Sequence, residues 1–117
     1  MSQPTQQRLD EIQALYREWT QLLPRLEAAR KDWRRGDAIM RELSAFYFGG
    51  EYRDCLEAEE QGWQPDLTTQ GEYSVLSEDA LWDAYGDQQT LAWQWMRDCI
   101  ETLDRDRNHS GQNNQSE

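Results

Sequence analysis

Residues that favour strands are scarce in this chain: one valine, three isoleucines and two phenylalanines stand beside twelve leucines. No run alternates apolar and polar residues as a half-buried strand does, which argues against a sheet. No stretch approaches the roughly 18 consecutive apolar residues of a membrane span. The N-terminus has no basic segment followed by an apolar run, so no signal peptide is visible and the expected location is cytoplasmic. There is a single histidine, His109. A Ser–His or Cys–His nucleophilic pair would therefore depend on that one residue. Cys55 and Cys99 stand 44 positions apart, outside any Cys-x-x-Cys motif. In a reducing compartment such residues read as free thiols. Gly49-Gly50 is too short for a phosphate loop and follows no strand. No pattern calls for a cofactor.

Positive charge is missing from the second half. Residues 51–104 hold two arginines against fourteen carboxylates. Residues 1–50 hold eight Lys or Arg against seven Asp or Glu, and the whole chain carries -11. Nucleic-acid affinity rests on cations that neutralise phosphates, so residues 51–104 make a poor nucleic-acid surface. Arg30, Lys31, Arg34 and Arg35 are the one basic cluster. It reads as a wet face or as a partner for the acidic half.

Aromatic rings are plentiful. Six Trp and five Tyr offset the thin aliphatic supply, since each large ring can bury roughly 150–250 Å². A chain of 117 residues supports one domain with a modest core. Leu9, Ile12, Tyr16, Trp19, Leu23, Leu26 and Trp33 recur in steps of three and four, with Arg30 interrupting. That stripe predicts a long amphipathic helix and also fits a heptad seam. Pro24 lies within it and either kinks or restarts the helix. Gly36-Asp37 predicts a break or bend. A second helical stretch carries Ile39, Met40, Leu43, Phe46 and Tyr47 and ends at Gly49-Gly50. A third carries Tyr52, Cys55, Leu56 and Glu59, with a stop at Gly62. Residues 63–74 read as a loop bracketed by Trp63 and Tyr73.

In "VLSEDALWDAY", Val75 to Tyr85, Ser77 has the chemistry of an N-cap. Glu78 and Asp79 then fall where the helix dipole favours anions, and Leu76 with Leu81 has staple spacing. The last helix carries Ala92, Met96, Cys99 and Leu103 on one stripe, with a kink or turn at Gly86. Trp93 and Trp95 lie about 200° apart around it, so both cannot face one core. Residues 105–117 are polar and predict a disordered tail. The expected architecture is all-α: a small bundle or long helical hairpin of about four helices over residues 1–104.

Three site hypotheses compete with plain surface. Carboxylates at Asp54, Glu57, Glu60, Glu78, Asp79 and Asp83 could share a helix face as divalent-metal sites do. Glu57-x-x-Glu60 resembles a motif of all-helical nucleotide pyrophosphatases, but the matching Glu-x-x-Asp appears only at Glu101 to Asp104. A solvated acidic face accounts for the same residues without a metal. Exposed rings among carboxylates suit a protein contact, and a leucine-poor core that uses Trp as filler is the simpler alternative. The preferred reading is a non-enzymatic module that docks a basic protein partner through Tyr52, Asp54, Glu57, Glu60, Trp63, Tyr73, Glu78, Asp79 and Trp82. The alternatives are a metal-dependent hydrolase using Glu57, Glu60, Glu78 and Asp79, and a homodimer formed through the 9–33 seam.

Phe46-Tyr47 before a glycine pair, Tyr52, Asp54, "EAEEQG" (Glu57 to Gly62), Pro65-x-Leu67 and "VLSED" (Val75 to Asp79) together resemble a bacterial family, domain of unknown function 4298. The chain departs from that pattern in a longer loop between Leu67 and Val75 and in Tyr52, where a tryptophan is expected. The resemblance implies a small helical cytoplasmic protein and brings no activity with it.

Overall fold

A computed structural model describes residues 3–115, with side chains through Asn108. It contains three helices and no strand among the described residues: α1 (Gln6–Phe48), α2 (Glu51–Glu60) and α3 (Ala80–Gln115). The chain divides into two compact units, Met1–Ile39 and Met40–Glu117. No helix of the described residues is long and apolar enough to cross a membrane.

The first unit is the N-terminal part of α1. Thr5 caps it: its hydroxyl accepts from the Arg8 N–H at 3.1 Å, and its carbonyl accepts from the Leu9 N–H at 3.2 Å. The break expected at Gly36-Asp37 does not form, and Pro24 lies inside a continuous helix. Pro24 removes one backbone donor, so the Thr20 carbonyl loses its helical partner. Thr20 is exposed, and water can replace that partner. Gly36 forfeits only about 1 kcal/mol of propensity, which its helix-forming neighbours offset. Four helices thereby become three. The stripe from Leu9 to Leu26 stays wet: Leu9, Ile12, Tyr16, Trp19, Leu23 and Leu26 are between 40% and 61% exposed.

The second unit holds the end of α1, α2, the connecting loop and α3. Gly50 turns the chain between α1 and α2 with φ of 106°, a left-handed conformation that glycine adopts at little cost. Its carbonyl accepts from the Asp54 N–H at 3.0 Å and so starts α2. Glu51 and Asp54 fill the first turn, where the dipole stabilises them. At the other end the Gly62 N–H donates to the Glu59 carbonyl (3.0 Å) and the Trp63 N–H to the Ala58 carbonyl (2.9 Å). With Gly62 at φ 103° this pair of bonds forms a Schellman motif, and the stop expected at Gly62 stands.

A chain of half-buried and exposed rings packs around the Gly49-Gly50 turn. Tyr47 lies 4.8 Å from Tyr52 and 5.0 Å from Phe48, between ring centroids. Phe48 meets Tyr85 edge-on at 5.4 Å and Trp82 at 6.4 Å, and Phe46 meets Tyr52 at 6.3 Å. These spacings lie in the favourable range for aromatic pairs. Leu81, 7% exposed, is the one buried apolar residue among those described.

Helix α3 begins later and ends later than the sequence suggested. Ser77 is not its cap, because the helix starts at Ala80. Asp79 holds that place, its carbonyl accepting the first helical bond from the Asp83 N–H at 2.8 Å. Residues 74–77 instead close a turn, with the Ser77 N–H donating to the Ser74 carbonyl and the Leu76 N–H to the Ser74 hydroxyl. Gly86 sits inside the helix without breaking it. Residues 105–115, expected to be disordered, continue α3. Their polar composition removes any packing face, but an existing helix extends by one bond per residue without a new nucleus. Residues 116 and 117 of that expected tail lie outside the described residues, as do the side chains from His109 onward.

Candidate functional site

The loop from Gln61 to Asp79 folds over the end of α1 and over α2 and leaves a groove of about 690 Å³. Phe46 and Cys55 contribute from the helices, and Trp63, Pro65, Leu67, Tyr73, Val75 and Leu76 from the loop. Trp63 reaches it because the Schellman turn redirects the chain immediately before that residue. Four large side chains of the wall remain wet, Trp63 at 49% exposed, Leu67 45%, Val75 46% and Tyr73 84%, while Phe46 and Leu76 are half-buried.

The polar part of the lining is anionic. Asp66 and Glu72 lie on it together with Thr68, Thr69 and Ser74, and no lysine or arginine does. Both carboxylates are tied to the loop. Asp66 Oδ1 accepts from the Thr68 N–H at 2.9 Å, and Glu72 Oε1 accepts from the Gln70 N–H at 3.0 Å. The Thr69 hydroxyl donates to the Glu72 carbonyl at 2.6 Å. Hydrogen bonds from the Thr68 N–H and hydroxyl hold the Asp66 carboxyl below its ordinary value.

The nine residues singled out in the sequence fall into three places. Trp63 and Tyr73 line the groove. Tyr52 and Trp82 belong to the ring chain, Tyr52 half-buried and Trp82 54% exposed. Asp54, Glu57 and Glu60 lie exposed on α2, and Glu78 and Asp79 lie exposed just ahead of α3. Among the described residues, no three carboxylates, histidines or cysteines gather in a way that could hold a metal ion. Trp93 and Trp95, which cannot both face one core, are both substantially exposed, at 52% and 40%.

Tyr52 couples α2 to the approach of α3. Its hydroxyl donates to the Ser77 carbonyl at 3.3 Å. Burial, and then the neighbouring Tyr47, Glu78, Asp79 and Glu59, hold its phenol above the ordinary value of 10.0.

Sequence reasoning did not single out Asp66 or Glu72, took Leu67 and Val75 only as marks of a family resemblance, and read Cys55 only as a free thiol. The signal available was Pro65-Asp66 followed by two threonines, an Asx-turn pattern that marks an ordered loop. No curated protein and no solved structure matches the chain. The aromatic end of α1, α2, its glycine stop and the approach to α3 all lie within residues 9–98, which match the family described as domain of unknown function (DUF4298), and the chain belongs to that family.

Proposed function

We propose that this chain is a non-enzymatic, cytoplasmic binding module whose second half docks a basic protein partner. The observation that carries the reading is the groove: wet apolar side chains beside Asp66 and Glu72, with no cation in the lining. It lies in a segment, residues 51–104, of fourteen carboxylates and two arginines. Exposed rings supply contact area, and the surrounding negative field speeds encounter with a cationic surface and rejects an anionic one. Tyr52, Asp54, Glu57, Glu60, Trp63, Tyr73, Glu78, Asp79 and Trp82 are the proposed contributors. The immobilised chain should retain basic proteins at low salt and release them as salt screens the field. If no basic protein is held at low salt, the reading fails.

A second reading concerns the first unit alone. Six large apolar residues at heptad spacing, none less than 40% exposed, support a homodimer along α1.

A further inference from the structure

Binding a basic partner does not by itself require a groove, because exposed carboxylates attract lysines anywhere on a surface. The groove adds a demand for apolar side chains. We infer that it receives a peptide segment of the partner in which large apolar residues are flanked by lysine or arginine. The inference rests on the reading above and specifies the chemistry of its partner.

Three observations carry it. First, the volume of about 690 Å³ is enough for a few side chains, and it lies within the range of ligand-sized clefts. Second, Trp63, Leu67, Val75 and Tyr73 all stand wet on the wall, so an apolar side chain entering between them removes water from both surfaces. Third, the charges are one-sided. Asp66 and Glu72 are oriented by backbone bonds within their own loop, and no cation of the lining competes for them. A cation beside the apolar anchor therefore meets fixed acceptors that lose little freedom on binding. The same charges disfavour a nucleic acid or an anionic membrane surface.

The two thiols allow the test to be made on the full chain without a label. Cys55 lines the groove and Cys99 is exposed on α3, outside it. The rates of alkylation at both would be followed by mass spectrometry. The measurement is made alone and with three synthetic peptides of equal length: leucine–lysine, leucine–glutamate and lysine only. With the leucine–lysine peptide at about ten times its dissociation constant, only the empty fraction reacts, so the Cys55 rate should fall about tenfold while the Cys99 rate stays unchanged. Leu67→Asp and Tyr73→Ser change exposed residues and should each weaken that protection in a chain of unchanged helical content. Binding of the lysine-only peptide with Cys55 reacting at its free rate, and no protection by leucine–lysine, would overturn the groove assignment and leave the basic-partner reading standing. Failure of both lysine-containing peptides to bind at low salt would remove that reading too. Equal protection by leucine–glutamate would overturn the charge argument. Protection that grows with protein concentration alone would assign the groove to a second copy and defeat the inference.

Discussion

The Tyr52 hydroxyl donates from α2 to the turn that precedes α3. At 3.3 Å its bond to the Ser77 carbonyl is long, so Tyr52→Phe should cost near the lower end of the roughly 0.5–1.5 kcal/mol of a neutral hydrogen bond. The pH dependence is more telling. The folded chain holds the Tyr52 proton more tightly than the unfolded chain does. Below the ordinary phenol value both states are protonated and nothing changes. Above it the unfolded state releases its proton first, so stability falls as pH rises toward the folded value. Urea unfolding near pH 8 and again above pH 10 should show a larger loss for the natural chain than for Tyr52→Phe. Equal losses would mean that Tyr52 is as easily ionised folded as unfolded.

Glycines divide by the element they occupy. Gly86 lies inside α3, and a Cβ built there meets nothing within 4 Å. Gly86→Ala should therefore raise stability by up to about 1 kcal/mol through propensity alone. Gly62 has the same open space, but its backbone is left-handed at φ 103°. Gly62→Ala should lower stability by about 1 kcal/mol and disturb the turn that aims Trp63 at the groove. A thermal melt of both variants checks the opposite signs, and a lowered midpoint for Gly86→Ala would indicate packing that the structure does not contain. The same contrast explains what was legible at this scale. The stop at Gly62 was readable because a Schellman motif is built from consecutive residues. The pauses expected at Gly36 and Gly86 did not form, because a lone glycine weakens a helix without ending it. Ser77 was misplaced because several nearby residues can accept the first backbone donors, and the choice depends on where Tyr52 and Ser74 draw the Ser77 backbone.

At the scale of the whole molecule, the first unit leaves a stripe of apolar side chains wet. Fully burying a leucine or isoleucine side chain contributes about 1.5–3 kcal/mol relative to leaving it wet, so the Leu9–Leu26 stripe retains a large unused driving force. If a second copy covers it, sedimentation should give a dimer that Trp19→Glu with Leu23→Glu converts to monomer. A monomer at high concentration for the unmodified chain would end that reading. The groove lies in the other unit, so its peptide test and the sedimentation test can succeed or fail separately.

Local pattern alone determined that this chain is helical, acidic after residue 50 and stopped at Gly62. Each of these depends on residue type or on neighbours within a few positions. The tertiary structure alone decided that Cys55 and Phe46 share a groove with Trp63, Leu67, Tyr73 and Val75. Those residues come from two helices and a loop, and the loop's path is set by backbone bonds at Thr68, Gln70 and Ser74, which no periodicity records.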